Sequence, residues 1–195
     1  MKKRLKSIIL CHIFLPFQAL AQMHTDDMNY WIEKYQSVSY PLKSIHISSS
    51  YGKRADPFTG KGRFHQGIDL EAKYEVVFAM FDAEIKRVGY DPMSGNFITL
   101  KAGNYTISYC HLSEIWVKED ELVYAGQELG RSGSTGRATG PHLHISCRLH
   151  GKIENPYHLL TFVRDTQLKA VDALGLNKDV KLSPEDFLRT YAPQA

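Results

Sequence analysis

The chain has 195 residues, of which 43% are hydrophobic and 23% charged, so its composition indicates one soluble globular domain and excludes a disordered protein. The formal net charge of +3 arises at the N-terminus, where four of the 24 basic residues occupy the first six positions. The remaining 20 basic residues stand against 21 acidic ones, and this balance predicts no basic surface of the kind that binds nucleic acid.

The first 21 residues have the pattern of an export signal. An apolar stretch over residues 8–17 follows the basic residues, and the Ala-Leu-Ala of residues 19–21 matches an A-x-A cleavage site. The apolar stretch is too short for a transmembrane anchor. Cys11 follows a leucine, not the small residue of a lipoprotein signal. We therefore expect a signal peptide over residues 1–21 and an exported protein without an anchor after cleavage, most readily periplasmic and otherwise secreted or attached to the cell envelope.

Residues 22–44 are predicted to form an N-terminal helix and a linker. The helical period runs over residues 25–37, with Thr25 and Asp26 suited to the cap, and Pro41 is expected to end the element. The apolar positions of this helix share one face at i, i+3, i+4 and i+7: Met28, Trp31, Ile32 and Tyr35.

The central segment, residues 45–156, has short β-branched or alternating runs separated by glycine-containing turns. This pattern predicts a mainly β fold, an antiparallel β-sheet domain of barrel or sandwich type, flanked by short N-terminal and C-terminal helices. The clearest predicted strands are residues 76–78, 84–88, 97–100, 105–109 and 142–147.

Residues 157–195 are predicted to form a helical C-terminal extension. Leu159, Leu160 and Val163 are expected to face the core. A last helix is predicted to begin at Ser183, which can cap it, with a proline at the first helical position.

Histidine is distributed unevenly in the central segment. His142 and His144 form an H-x-H pair in a predicted strand, so both imidazoles should point to one face while Leu143 and Ile145 point to the other. Taken alone, such a pair is more often a surface feature of a half-exposed strand than a binding site.

His65 and Asp69 are four residues apart in a glycine-containing segment. On a straight strand their Cα atoms would lie roughly 13 Å apart, too far to share a metal ion with bonds of ~2 Å. The glycines disfavour a helix, so we predict a bend at residues 66–67. Separately, His111 ends an alternating run and is expected to share a face with Tyr109.

The glycine-rich segment, residues 130–140, has neither of the common spacings of phosphate-binding loops. We expect its glycines to let the backbone pass close to a substrate and to set the register of the strand that contains the H-x-H pair.

Together these segments resemble the lysostaphin/LytM-type zinc endopeptidases, which cut peptidoglycan peptides. The resemblance extends from about residue 51 to 156 and omits the N-terminal helix and the final forty residues. It implies a zinc peptidase domain over residues 45–156. The matching motifs are Tyr-Gly-Lys-Arg at 51–54, His65-x-x-x-Asp69, Tyr-Cys-His-Leu-Ser at 109–113, and the run from Gly130 through Pro-His-Leu-His at 141–144.

The resemblance implies that His65, Asp69 and His144 bind one zinc ion per chain and that His111 and His142 are catalytic. Two imidazoles, one carboxylate and an open position suit a catalytic zinc. Imidazole titrates near neutrality, so His111 and His142 are candidates for proton transfer, and which of them is the base stays open. The implied function is an exported zinc metalloendopeptidase that hydrolyses peptidoglycan cross-links with a zinc-activated water. D-Ala–diaminopimelate cross-links are the expected substrate.

Two other functions stay open. One is a non-catalytic LytM-like module that binds the cell wall or activates another wall hydrolase, and the other is a zinc-stabilised carbohydrate-binding domain. Non-catalytic members of the family have lost ligands, whereas all five key positions are filled here. Structural zinc sites are usually closed by four protein ligands. Both points favour an active enzyme.

Two cysteines, Cys110 and Cys147, lie beyond the predicted signal peptide. Strand alternation predicts that both face the apolar side of the sheet, away from the histidines. We expect two buried free thiols rather than a disulfide, and no thiolate ligand to the zinc.

Overall fold

Residues 25–174 are the part of the chain that the structure, a computed structural model, describes. The predicted signal peptide and the helix predicted from Ser183 lie outside these residues. The described residues contain two helices, α1 over residues 25–36 and α2 over Tyr157–Ala173. The thirteen described strands are β1 Ile47–Ser49, β2 Gly52–Ala55, β3 Gly62–His65, β4 Gly67–Glu71, β5 Val76–Phe78, β6 Ala83–Asp91, β7 Gly95–Ala102, β8 Tyr105–Leu112, β9 Glu114–Ile115, β10 Leu122–Val123, β11 Glu128–Arg131, β12 His142–Leu149 and β13 Lys152–Glu154.

The strands form one large sheet and two small ones, all with antiparallel pairing. The large sheet has eight strands in the order β1-β4-β12-β8-β7-β6-β10, with β13 also paired to β12. The small sheets are β5-β11-β9 and the hairpin β2-β3. The predicted antiparallel β architecture is confirmed, and the large sheet is open because β1 and β10 end its path.

Side-chain alternation along β12 separates a core face from a polar face. Leu143 and Ile145 are fully buried, whereas His142, His144 and Ser146 are partly exposed on the opposite face. This is the arrangement that the H-x-H pattern predicts. Burial of one such aliphatic side chain contributes about 1.5–3 kcal/mol, so the apolar face fixes the strand's orientation and thereby turns the histidines outward.

The hydrophobic core combines the large sheet, the three-stranded sheet and α2. Val77 of β5 and Leu129 of β11 are fully buried in the same cluster as the apolar face of the large sheet. Leu159 and Leu160 join that cluster from α2, and Val163 is also fully buried, so the predicted inward face of this helix is confirmed.

The α1 helix is present as predicted, but its apolar face is not buried against the described residues. Met28, Ile32 and Tyr35 are each more than a third exposed, and Trp31 is half-buried. The helix also ends at residue 36, earlier than the proline predicted to end it. The chain leaves the helix there because buried Val38 pairs with Phe81 in a β-bridge.

Among residues 25–174, no helix combines the length and the apolar character that a membrane span needs.

The two cysteines lie on opposite faces of the large sheet. The pairing of β12 with β8 places His144 opposite Cys110 and Cys147 opposite Ile107. Directly paired residues share a face, so Cys147 faces the core as predicted, whereas the prediction for Cys110 is wrong. Both cysteines are free and buried, which confirms the expectation of two thiols.

Candidate active site

Three side chains converge on the polar face of the large sheet, near the end of β3. His65 Nε2 lies 3.2 Å from Asp69 Oδ1, and His144 Nδ1 lies 2.7 Å from the same oxygen. The two histidine nitrogens are 3.1 Å apart. Three potential metal-ligand atoms therefore surround one point.

The backbone brings these side chains together by a bend and by strand pairing. Strand β3 ends at His65 and β4 begins at Gly67, so the predicted bend is confirmed. The pairing of β4 with β12 then places Asp69 directly opposite His144. A Cβ atom on Gly67 would lie 2.3 Å from the Ile145 carbonyl oxygen and 2.6 Å from the His144 ring. Glycine is required here because the imidazole packs directly against the backbone.

The spacing of the three atoms suits a tetrahedral metal. Zinc bonds of about 2.0–2.1 Å place neighbouring tetrahedral ligands about 3.3 Å apart, close to the separations between these atoms. The other nitrogen of His65, Nδ1, donates a hydrogen bond of 2.8 Å to the Ser50 carbonyl oxygen. A carbonyl can only accept, so the proton is on Nδ1 and the lone pair of Nε2 is free for a metal.

Electrostatics favour the protonation states that metal binding requires. Burial by itself raises the pKa of Asp69, but favourable electrostatic contacts with the His144 and His65 rings outweigh it and hold the pKa well below its usual range. Burial lowers the pKa of His144, and the hydrogen bond with Asp69 opposes this effect only in part. A carboxylate and a neutral imidazole are the ligand forms of these side chains.

The other two predicted site residues, His111 and His142, lie beside this group. Their ring centroids are 4.7 Å apart, and His142 Nε2 is 3.7 Å from Asp69 Oδ1. Backbone carbonyls orient both rings: His111 Nδ1 donates to Thr135 and His142 Nδ1 donates to Gly140, each over 2.8 Å. In the neutral rings, Nε2 is therefore the nitrogen without a proton.

His111 is buried and neutral near pH 7. Burial is the main reason that its pKa falls to about 4, and the hydrogen bond to Thr135 opposes that effect. The positive charges that His142 and His144 would carry when protonated lower it further.

The backbone at His111 departs from regular strand geometry. Its φ is +63°, and the pairing of β7 with β8 shifts register between Asn96 and Ile98. The expectation that His111 shares a face with Tyr109 is therefore wrong. Tyr109 points into the core, where its hydroxyl accepts a hydrogen bond from the Met80 amide, while His111 faces the site. Cys110 faces the site by regular alternation with Tyr109, and the irregularity brings His111 to the same face.

Thr135 supports His111, a role that no sequence pattern indicated. Its hydroxyl accepts a hydrogen bond of 2.9 Å from the Asn96 amide and donates one of 2.8 Å to the Leu112 carbonyl oxygen. The side chain thus fixes the backbone carbonyl that holds the His111 ring. The threonine lies in the glycine-rich segment, which we expected to approach a substrate and not to orient a histidine.

The site opens into a groove of about 1070 Å³ on the polar face of the sheet. The floor of the groove contains a row of cross-strand partners on β12, β8, β7 and β6: Ser146, Ser108, Thr99 and Arg87. Small residues make up most of this row, so an extended chain can lie close to the sheet. The groove volume is just above the range of roughly 300–1000 Å³ for small-ligand sites, which suits a ligand as long as a peptide.

Comparison with known proteins places this site in a family. The model of peptidase family M23 matches residues 63–156, which include all five predicted site residues. The catalytic domain of lysostaphin from Staphylococcus simulans is 30% identical with a TM-score of 0.55, and the match covers 60% of this chain and 92% of that domain. The chain belongs to peptidase family M23. M23 membership agrees with the open antiparallel sheet and with the His-Asp-His group.

Two further relatives come from Vibrio cholerae. A zinc-containing peptidase of known structure is 32% identical with a TM-score of 0.56, covering 62% of this chain and 39% of that protein. Peptidoglycan DD-endopeptidase ShyC is 35% identical over 119 residues, covering 60% of this chain and 28% of ShyC. The chain thus spans about a third or less of the length of the curated relatives that it matches.

Proposed function

We propose that this M23 protein is a zinc metalloendopeptidase that hydrolyses peptide cross-links of bacterial peptidoglycan. In this proposal His65, Asp69 and His144 bind one zinc ion, and His111 and His142 are the catalytic residues. The observation that carries it is the convergence of three ligand atoms, none more than 3.2 Å from the next, beside two further histidines in an open groove.

The chemistry follows from what each group can do. A zinc ion bound here would lower the pKa of a water molecule and polarise the scissile carbonyl group. Peptide hydrolysis also requires one proton to leave the attacking water and one to reach the departing nitrogen. His111 and His142 each offer one unprotonated Nε2, and the short distance between their rings disfavours charging both at once. The pair therefore suits the transfer of a single proton.

The substrate proposal rests on the relatives and on the groove. ShyC is named a peptidoglycan DD-endopeptidase, and its match to this chain supports peptidoglycan peptide as the partner. We propose D-Ala–diaminopimelate cross-links as the bond that is cut. The same proposal includes export to the periplasm after removal of residues 1–21 and a peptidase domain over residues 45–156.

The test is digestion of purified, cross-linked muropeptides by zinc-loaded protein, followed by mass spectrometry. We expect cross-linked dimers to disappear and monomers to appear, with the addition of one water per bond. Removal of zinc by a chelator should stop the reaction, and its return should restore it. A protein that holds one zinc ion, binds sacculi and releases no product would instead support the non-catalytic module.

A further inference from the structure

A buried carboxylate joins two segments of the site wall. Asp56 follows strand β2 and is only 5% exposed. It accepts hydrogen bonds from both terminal nitrogens of Arg137, over 2.8 and 3.0 Å, and from Nη1 of Arg63 over 3.1 Å. The two-point contact with Arg137 fixes the orientation of the guanidinium as well as its position.

The same carboxylate organises its own turn. Asp56 Oδ1 accepts hydrogen bonds from the amides of Phe58 and Thr59, over 3.0 and 3.1 Å. The Arg137 guanidinium lies 4.2 Å from the centroid of the Phe58 ring. Arg137 is therefore fixed to this turn by an ion pair and by a cation–π contact.

The turn belongs to the hairpin that ends in a candidate zinc ligand. Asp56 lies between β2 and β3, its amide donates a hydrogen bond to the Lys61 carbonyl oxygen across the turn, and β3 ends at His65. A displacement of the turn would therefore be transmitted along one short, regular hairpin toward the metal-binding side chain.

Arg137 lies between the two carbonyls that orient the catalytic histidines. The Thr135 carbonyl, which holds the His111 ring, is two residues before Arg137. The Gly140 carbonyl, which holds the His142 ring, is three residues after Arg137. Arg137 also donates a backbone hydrogen bond of 3.2 Å to Met93, which secures this position from the other side.

The glycine-rich segment needs an anchor because its backbone can adopt many conformations. It contains four glycines, and glycine has more accessible conformations than any other residue. Gly136, next to Arg137, has a φ of +70°, and a Cβ there would lie 2.2 Å from the Gly95 amide. Glycine is thus required for the close approach, and the Arg137 side chain restrains the neighbouring residue.

We propose that Arg137 and Asp56 are positioning residues whose ion pair holds the carbonyls of Thr135 and Gly140, and with them the two catalytic imidazoles, at a fixed distance from His65. This inference rests on the proposed function for its catalytic consequence. The pair couples the metal-binding side of the groove to the proton-transfer side, and neither residue touches the reacting atoms.

The kinetic test compares Arg137→Gln and Asp56→Asn with the parent in zinc-loaded form. Both variants should keep one zinc ion per chain, because the ligands are untouched, and both should lose about 10- to 100-fold in kcat with a smaller change in KM. The double variant should be no worse than Asp56→Asn, since that change already breaks the ion pair with Arg137. A kcat within about twofold of the parent would overturn the proposal.

Arg131→Gln is the matched control, in the same glycine-rich segment. Arg131 also makes an ion pair, with Glu114, and a cation–π contact, with Trp116, but on a solvent-exposed part of the surface outside the lining of the groove that holds the histidines. We expect its kcat to match that of the parent. If the Arg137→Gln protein does not fold, Arg137→Lys keeps the charge beside Asp56, and its kcat should still fall roughly 10-fold because the two-point contact is gone.

A spectroscopic readout separates this inference from the proposed function. In ¹⁵N NMR spectra of the zinc-loaded parent, His111 and His142 should carry their protons on Nδ1. Arg137→Gln should give mixed tautomers at one or both rings, whereas Arg131→Gln should match the parent. Unchanged tautomers in Arg137→Gln would overturn the positioning role even if the parent did not cleave peptidoglycan at all.

Discussion

The two halves of the candidate site are held in place by different kinds of structure. Asp69 and His144 are direct partners on neighbouring strands, so the hydrogen bonds of the sheet set the distance between them. His111 and His142 take their orientation from carbonyls of the glycine-rich segment, which belongs to no strand at those positions. Sheet register thus sets the spacing of the candidate ligands Asp69 and His144, whereas the orientation of the His111 and His142 rings depends on loop backbone.

The greatest loss of activity is expected from changes to the candidate metal ligands. Asp69→Ala, His65→Ala or His144→Ala removes one of only three protein ligands, so zinc content should fall close to zero and hydrolysis should become undetectable. Elemental analysis of dialysed protein measures the metal. Glu71→Gln, an exposed carboxylate on the same strand, should keep its zinc. Full zinc occupancy in Asp69→Ala would refute the ligand assignment.

The second prediction concerns His111 and His142, whose variants should retain zinc, unlike the variants of the candidate ligands. His111→Ala and His142→Ala should keep zinc, because neither belongs to the converging group, and should lose about 10²–10⁴-fold in kcat, as expected when proton transfer is removed. Steady-state rates on muropeptide dimers measure the loss. Near-normal turnover in either variant would show that its proposed role is wrong.

Gly67→Ala tests how closely the sheet backbone supports the metal-binding half. The added methyl group would overlap the Ile145 carbonyl oxygen and the His144 ring, so we expect zinc affinity to weaken by about 10- to 100-fold. The variant should also be destabilised by about 1–3 kcal/mol. Gly62→Ala is the control, because a Cβ there has no atom within 4 Å. Competition with a chelator measures the affinity, and equal values for the two variants would contradict the packing argument.

These differences explain which features could be predicted from the sequence. The alternation of Leu143 and Ile145 with the two histidines predicts a polar and an apolar face, and the glycine after Gln66 predicts a bend, because both depend on short-range stereochemistry. The orientation of His111 could not be predicted, because its positive φ arises where β8 shifts register against another strand. Alternation counted from His111 therefore predicted the wrong face for Cys110.

Contacts between segments that are distant in the sequence could not be predicted either. Asp56 and Arg137 are 81 positions apart, and each has an ordinary structural interpretation, as a turn residue and as a solvated charge. Only the fold brings them together. The α1 helix is the opposite case. Its sequence pattern clearly predicts a helix, but the pattern does not specify which surface covers the apolar face of that helix.

The last prediction concerns the free energy of unfolding, on which the ion pair between Asp56 and Arg137 should have only a small effect. The Arg137 hydrogen bonds are the main reason that the pKa of Asp56 lies well below its usual range, and they outweigh the opposing effect of burial. Because the folded pKa is below the unfolded value of about 3.9, the folded state binds fewer protons and stability rises with pH through this range. The contribution of Asp56 should be complete well above that pH and should disappear as the pH falls toward the folded pKa. Denaturant unfolding of the parent and of Asp56→Asn, both without zinc, should thus give free energies of unfolding that differ most near pH 6 and whose difference shrinks steadily as the pH falls from about 4 to 2. A difference that stays constant between these pH values would mean that the carboxylate is not stabilised in its charged form by Arg137.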